Sequence, residues 1–249
     1  MSELIKSRAL VLQSIRWHET SKIVTLYTKE LGLIKAIARG VYRKNSVLAG
    51  RLETLNLVQV VIAQKETRDL QIITSADLLD PFSELKADLK RLPYALAILE
   101  MIQKVLQAGQ KDEIFFDFLE QMIRSVSLAR QPLIVFWYFL LKFSSYLGFK
   151  PDFSACFFCH KKNFKQGAFF LLKKGGLVCM ACADSSFQNL RLNENDISFL
   201  QRLQQYPYRR IHELTTDFGF SVDFTAMLLQ YLNIHVGHRL KLESLNLIA

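Results

Sequence analysis

The chain has 249 residues, half of them hydrophobic and 22% charged, which is the composition of a folded protein with room for two or three modest units. Its longest apolar run, Leu133–Leu141, is far shorter than the roughly 20 residues that a bilayer span needs, and its first residues lack a signal-peptide core. We therefore expect a cytoplasmic protein without a membrane segment. A net charge of +9, from 32 basic and 23 acidic residues, favours an anionic partner such as nucleic acid without establishing one.

The first 80 residues contain five short runs that are rich in β-branched and apolar residues, separated by polar or glycine-bearing breaks. The predicted strands are Arg8–Trp17, Thr20–Lys29, Leu33–Val41, Leu55–Lys65 and Leu70–Ala76. Five strands are the content of a small antiparallel β-barrel such as the OB-fold, but an SH3-like barrel has nearly the same content. The strand pattern by itself does not choose between them.

The period changes to a helical one after Asp80-Pro81, where apolar residues recur at steps of three and four. The predicted helical stretches are Leu85–Leu106, Asp112–Ala129, Leu133–Leu147, a helix capped by Asn193 or Asn195 that runs through Leu203, and Ser221–Val236. Leu133–Leu147 is apolar on nearly every face, which predicts the central buried helix of a bundle. The predicted fold class is α+β, with a barrel (1–80), a helical domain in two parts (81–150 and 187–249) and an inserted cysteine segment (151–186).

All four cysteines lie in two C-x2-C pairs, Cys156/Cys159 and Cys179/Cys182, with 19 residues between the pairs. Each pair brings two sulfurs within reach of one ion, and two pairs complete a tetrahedron of thiolates around Zn²⁺. The spacing predicts one structural zinc ion, although the ligands alone do not exclude iron. Four thiolates leave no position for a substrate water, so a catalytic zinc is not expected. His160, adjacent to Cys159, could replace one ligand, but we expect it to be an exposed neighbour.

The sharpest concentration of positive charge is a stretch of seventeen residues that contains no acid. Its basic residues are Lys35, Arg39, Arg43, Lys44 and Arg51. Lys35 and Arg39 are an even number apart, so they share one face of a predicted strand, and such a stripe can follow a phosphate backbone while Tyr27 or Tyr42 stacks on bases. A solvated surface explains the same charges equally well.

The chain resembles the bacterial RecO family of recombination mediators. The resemblance rests on residues 19–28 (Glu-Thr-Ser-Lys-Ile-Val-Thr-Leu-Tyr-Thr), Gly32, Ala38-Arg39-Gly40, the pattern of Lys44, Ser46 and Leu52, and Gly175-Gly176-x-x-Cys179-x-x-Cys182. The order and spacing of these elements match over essentially the whole chain. The sequence departs from the family at Val41-Tyr42, where a small residue followed by a basic one is usual, and at Glu53-Thr54, where a proline is common.

The resemblance implies an OB-fold barrel, a helical domain and a zinc-binding segment. It also implies binding to single- and double-stranded DNA, annealing of complementary strands, and partnership with RecR. In this family the complex helps load RecA on DNA coated by single-strand-binding protein, often through that protein's acidic C-terminal tail. These functions are expectations that the composition and spacing alone do not establish.

No arrangement of acids, bases or nucleophiles in the sequence is typical of an enzyme site, and neither a phosphate-binding loop nor a dinucleotide signature is present. We therefore expect a binding protein that works by electrostatics and stacking. One alternative is a zinc-ribbon nucleic-acid-binding accessory factor in RNA processing or transcription. Another is a scaffold that binds only proteins.

Overall fold

The apolar runs at the start of the chain form a closed β-barrel in a computed structural model, which describes residues 2–184 and 190–247. The barrel strands are β1 (Glu3–Trp17), β2 (Ser21–Thr28), β3 (Gly32–Ala38), β4 (Leu57–Gln64) and β5 (Leu70–Asp80). They are hydrogen-bonded in the order β1-β2-β3-β5-β4, and β4 pairs with β1 to close the barrel. Within the barrel, the β3–β5 pairing is parallel and the other pairings are antiparallel. This is an OB-type barrel, as expected.

Strand β1 closes the barrel because its two halves pair with different neighbours. Residues 3–10 pair with β4 and residues 9–17 pair with β2, with an irregularity between Val11 and Gln13. Such a bulge bends a strand and increases its twist. The apolar side chains that alternate along the strands fill the interior. The residues of this core are Ala9, Val11, Val24, Leu26, Ala36, Ala38, Val41, Leu48, Leu52, Val58, Val60, Ile62, Ile73 and Ala76.

The strand bounds differ from the predicted ones by three residues or more in β1, β3 and β5, and β5 runs to Asp80, past the predicted end at Ala76. Strand β1 begins at Glu3, ahead of the predicted start at Arg8. Strand β3 ends at Ala38 instead of Val41, because the chain turns at Gly40, which has a φ of +70°. A left-handed backbone of this kind ends a regular strand and suits glycine.

The described residues form two compact units. The barrel unit comprises the described residues up to Ser127 together with those from Leu242 onward, and the cysteine unit comprises Leu128–Lys241. The helices that follow the barrel thus fall into different units, the first ones within the barrel unit. Residues 185–189, where the predicted cysteine segment meets the segment after it, lie outside the described residues.

The barrel unit also contains the helices α1 (Ser83–Ala87), α2 (Leu92–Val105) and most of α3 (Glu113–Leu128). The prediction of a continuous helix from Leu85 to Leu106 is wrong. The helix is interrupted between α1 and α2, where Leu89 is 78% exposed. Pro93, in the first turn of α2, explains the break. Proline has no N–H to donate, and its ring clashes with the carbonyl four residues earlier, so a helix does not run through it.

Two contacts fix the chain around these helices. Gly32, at the start of β3, has a φ of +66°, and a Cβ placed there would lie 2.1 Å from the carbonyl oxygen of Gln110, so no side chain fits. The carboxylate of Glu100 in α2 accepts the backbone N–H groups of Glu243 and Ser244 at 3.0 and 3.1 Å. These bonds hold the C-terminal 3-10 helix (Glu243–Leu247) against α2.

The cysteine unit is built around α4 (Pro132–Tyr146), which is buried on nearly every face as its composition predicts. It packs against α5 (Glu194–Gln205), a 3-10 helix (Tyr208–Glu213) and α6 (Phe224–Val236). Between α4 and α5 lies a small sheet in the order β6-β8-β7-β9. Its strands are β6 (Asp152–Cys156), β7 (Ala168–Leu171), β8 (Gly176–Cys179) and β9 (Arg191–Leu192).

Among the described helices, none combines the length and the apolar character needed to cross a membrane.

Candidate functional site

Two of the basic residues predicted to contact DNA lie on the outer side of the barrel at β3. Lys35 and Arg39 are exposed, whereas Ala36 and Ala38 face the barrel core. Lys35 stands opposite Leu70, the first residue of β5. In OB-folds the face of the second and third strands, with the loops that join the first two and last two strands, binds oligonucleotides. Lys35 therefore lies next to the second of these loops, and Arg39 lies at the opposite end of β3.

Arg43 and Lys44 follow in the connection from β3 to β4. The N–H of Arg43 donates to the carbonyl of Gly40 at 3.2 Å, which closes a turn directly after Arg39. Both side chains are exposed. Among the ion pairs of residues 2–184 and 190–247, none involves Lys35, Arg39, Arg43 or Lys44. The four charges are therefore open to an external anion.

Arg51, the fifth predicted contact, is placed differently. Its guanidinium donates to the backbone carbonyl of Ala76 and lies 3.0 Å from the carboxylate of Asp77, both in β5. The side chain is half-buried in this arrangement. Its charge is already offset by an internal carboxylate, which separates it from the other four.

Tyr27 cannot stack on a nucleic-acid base, contrary to one of the two predictions for an aromatic contact. Its side chain is fully buried, and its ring lies 5.8 Å from that of Phe115 and 6.2 Å from that of Phe116. The sequence pattern does not show that α3 covers this position of β2. Tyr27 thus belongs to the core of the barrel unit.

Tyr42, the other predicted aromatic contact, is 45% exposed. The guanidinium carbon of Arg16 lies 4.9 Å from the centre of its ring and the Nζ of Lys22 lies 5.5 Å away. Lys22 is nearly buried and pairs with Glu53, so Arg16 is the exposed cation of the two. Cations at this distance from an aromatic face are attracted by its quadrupole and fix its orientation.

The sequence interpretation missed the turn between β1 and β2, which lies beside Tyr42. Trp17 ends β1 and is 45% exposed, and its ring lies 4.9 Å from that of His18. The N–H of Tyr42 donates to the carbonyl of Thr20 in the same turn, at 3.2 Å. The signal was available as a basic and aromatic run, Arg16-Trp17-His18, directly before a polar break.

These residues form a surface at the OB-fold's binding face. We call the following set of exposed side chains the basic–aromatic surface: Arg16, Trp17, Lys35, Arg39, Tyr42, Arg43 and Lys44. Arg16 pairs with Lys22 of β2, and Lys22 pairs with Ala38 of β3, so the end of β1 and the end of β3 flank the same end of β2. The surface combines five cations with two aromatic rings. That combination can hold phosphates by charge and bases by stacking.

The second candidate site is formed by the four cysteines, whose Sγ atoms all lie within 4.8 Å of one another. Cys156 ends β6, and Cys179 ends β8, so the sheet brings the two pairs together. The Sγ atoms of Cys159 and Cys179 are 3.6 Å apart. Four sulfurs bound tetrahedrally at 2.3 Å from one zinc ion would be about 3.8 Å apart. The spacing of the thiols therefore fits a single tetrahedral metal ion.

The surroundings of the cysteines also favour a metal-bound thiolate. Burial by itself would raise the pKa of the Cys156 thiol, but the backbone N–H groups of Cys159, Cys179 and Phe158 lower it to about 6. Hydrogen bonds from Cys182 to the sulfurs of Cys159 and Cys179 raise the pKa of Cys182 to about 12. Four thiols this close cannot all ionise without a cation between them. A divalent ion would supply that charge.

His160 lies outside the set of side chains that can hold the ion, as far as the described part of the chain shows. Its side chain is exposed, and its φ of +59° places it in the turn that follows Cys159. The four predicted cysteines are thus the candidate ligands, and the structure brings them together.

Comparison with known proteins gives matches along the chain. The family model described as "Recombination protein O N terminal" matches residues 1–82, and the one described as "Recombination protein O C terminal" matches residues 86–243. A "DNA repair protein RecO" of Caldicellulosiruptor bescii is 30% identical over 184 residues, which are 74% of each chain. Proteins with the same description from Alkaliphilus metalliredigens and Chlorobium limicola are each 26% identical, and the matches cover 98% and 99% of this chain and 98% of each relative.

Proposed function

The chain belongs to the RecO family of DNA repair proteins, and we propose that it is a recombination mediator that binds single- and double-stranded DNA and anneals complementary strands. It acts by binding and needs no catalytic group. We further propose that it works in the cytoplasm with RecR, and that the two proteins help load RecA on DNA coated by single-strand-binding protein.

The observation that carries this proposal is the basic–aromatic surface. Lys35, Arg39, Arg43 and Lys44 are its phosphate contacts, because all four are exposed and none is paired internally in the described residues. Arg51 contributes less, since Asp77 holds its guanidinium. Annealing follows from such a surface, because cations that screen the phosphates of two strands lower the repulsion between them.

The four cysteines are proposed to hold one structural Zn²⁺ ion. Thiolates suit zinc, and a set of four leaves no open coordination position, so the ion stabilises the fold and supplies no reaction step. Cys156, Cys159, Cys179 and Cys182 would be the ligands. The domain division predicted from the sequence remains part of this proposal, with residues 1–80 as the DNA-binding domain and residues 151–186 as the zinc-binding segment.

Stacking by Tyr42 provides a test of the DNA site. Replacing Tyr42 with Ala is expected to weaken binding to single-stranded DNA by about 1–3 kcal/mol, since a stacked base typically contributes that much. Tyr42→Phe should bind like the parent, because the ring is retained. Tyr208, which is 37% exposed in the cysteine unit, supplies the matched control Tyr208→Ala. Fluorescence anisotropy with DNA and RNA oligonucleotides of the same sequence gives the affinities.

If Tyr42→Ala and Tyr208→Ala bind single strands equally well, the aromatic part of the site is wrong. A preference for RNA over DNA in the parent protein would favour the alternative accessory factor of RNA processing or transcription.

Partnership with single-strand-binding protein gives a separate prediction. The acidic, hydrophobic tail of that protein is expected to bind the helical part of the chain, since an amphipathic groove with basic residues at its rim suits such a peptide. A labelled tail peptide should show saturable binding by fluorescence anisotropy at low salt, and a scrambled peptide of the same charge should bind more weakly. Equal binding of the two peptides would leave only non-specific attraction and would contradict this partnership.

A further inference from the structure

Two adjacent phenylalanines lie exposed in the turn between the first pair of cysteines. Phe157 is 46% exposed and Phe158 is 52% exposed. Their ring centroids are 5.4 Å apart and the rings are perpendicular. Adjacent exposed aromatic side chains form a patch, and patches mark interaction sites more often than single exposed apolar residues do.

The fold holds these rings in place. The N–H of Phe157 donates to the carbonyl of Leu177 at 2.7 Å, and a Cβ on Gly176 would lie 3.3 Å from the Phe157 ring, so the ring packs over the glycine. The N–H of Phe158 is one of the groups that point at the sulfur of Cys156. A metal ion on that sulfur would fix the whole turn. The rings would then be preorganised, which lowers the entropy lost when a ligand binds.

The patch lies in a positively charged part of the cysteine unit. Residues 150–184 contain six lysines and two aspartates. Five of these lysines lie between or beside the two cysteine pairs, and all five are exposed: Lys161, Lys162, Lys165, Lys173 and Lys174. No ion pair in the described residues involves them. Exposed rings among cations suit a ligand that is flat and anionic at once.

We propose that this turn is a second contact for single-stranded DNA, in which an unpaired base stacks on Phe157 or Phe158 while the neighbouring lysines contact phosphates. The inference rests on the proposed function and adds a site in the other unit. Stacking needs a base that is not paired, so the contact distinguishes single strands from duplex DNA. Every base has an aromatic face, so the contact does not select a sequence.

The test compares the double variant Phe157→Ala/Phe158→Ala with the parent and with Phe218→Ala. Phe218 is a matched control because it is 44% exposed in the same unit. The double variant is expected to bind an oligothymidine about tenfold more weakly, as expected for the loss of a stacked base. Its affinity for duplex DNA and the slope of affinity against salt should match those of the parent, because no phosphate contact is removed.

The double variant could misfold, and elemental analysis would then show that it has lost its metal. A second measurement that does not depend on that variant is therefore needed. Phe157→Trp and Phe218→Trp each place a fluorescent reporter at one of the two positions. Both are made with Trp17→Phe, so that the only other tryptophan is Trp137, which is nearly buried and common to both proteins. Single-stranded DNA should quench the fluorescence of the Phe157→Trp protein and leave that of the Phe218→Trp protein unchanged. Equal quenching in the two proteins overturns the inference.

The outcomes also separate this inference from the proposed function. A parent protein that binds no single-stranded DNA contradicts both. In a second outcome the parent binds single-stranded DNA, and charge reversal on the barrel weakens that binding but loss of the two phenylalanines does not. This outcome contradicts only the second contact. Equal loss of single-stranded and duplex binding in the folded double variant shows a role other than base stacking and also overturns it.

Discussion

Replacing Cys179 with serine is expected to release the metal ion and to unfold the small sheet of the cysteine unit. Cys179 ends β8, and its Sγ lies 3.6 Å from that of Cys159 in the other pair, so the substitution removes a sulfur where the two pairs meet. The four strands of this sheet have only two to five residues each, too few to be stable on hydrogen bonds alone. Structural zinc contributes roughly 10–16 kcal/mol in isolated zinc-finger peptides, so its loss exceeds the stability of such a sheet.

Elemental analysis and hydrogen exchange together measure this effect. The variant should contain no metal, and the backbone amides of β6, β7 and β8 should exchange rapidly while those of β1 to β5 stay protected. Ala181→Ser is the matched control, since it adds a hydroxyl to the exposed position between Cys179 and Cys182 and removes no ligand. A parent protein purified under reducing conditions without bound metal would contradict the metal site itself.

Reversing Arg39 and Arg43 to glutamate is expected to weaken DNA binding for every sequence. Each phosphate contact with a single strand adds about −0.7 to the slope of log affinity against log salt, so two lost contacts make the slope shallower by about 1.4. Two lost contacts also lower the affinity by about 10- to 100-fold near physiological salt. The protein should still fold, because substitutions of exposed charges usually change the free energy of unfolding by only about 0.5 kcal/mol. Its metal content should not change.

A control variant separates a local effect from one of total charge. Lys90→Glu/Arg130→Glu changes the net charge by the same amount at exposed positions that are not part of the basic–aromatic surface. It should bind DNA with the parent's salt slope. If the two charge reversals weaken binding equally, the protein is attracted to DNA only through its overall charge.

Local patterns predicted most of the fold. Alternating apolar residues predicted all five barrel strands, and all-round hydrophobicity predicted that α4 is buried. The choice of an OB-type barrel required the pairing of β3 with β5, which strand content does not contain. The break before α2 depended on one proline, Pro93, within an otherwise helical apolar period. The leucines keep a helical spacing on both sides of this break, so the apolar period does not show it.

One candidate site could be predicted from the sequence and the other only in part. The cysteine cluster was predictable in full, because ligand spacing along the chain fixes which sulfurs meet. The residues around β3 were predictable as a charged run, but their partners were not. Asp77 meets Arg51, and α3 covers Tyr27, only after the chain folds. Tyr42 likewise reaches the turn that follows Trp17 only in the folded chain, where its N–H donates to the carbonyl of Thr20.

The proposed function requires the basic–aromatic surface to bind DNA and to promote annealing. The most direct test is the rate at which complementary oligonucleotides anneal, both bare and coated with single-strand-binding protein, in the presence of the parent, Arg39→Glu/Arg43→Glu or Lys90→Glu/Arg130→Glu. The parent and Lys90→Glu/Arg130→Glu are expected to accelerate annealing. Arg39→Glu/Arg43→Glu is expected to lose most of that acceleration while keeping its fold and its metal. A folded Arg39→Glu/Arg43→Glu protein that anneals strands as fast as the parent would contradict the proposed function.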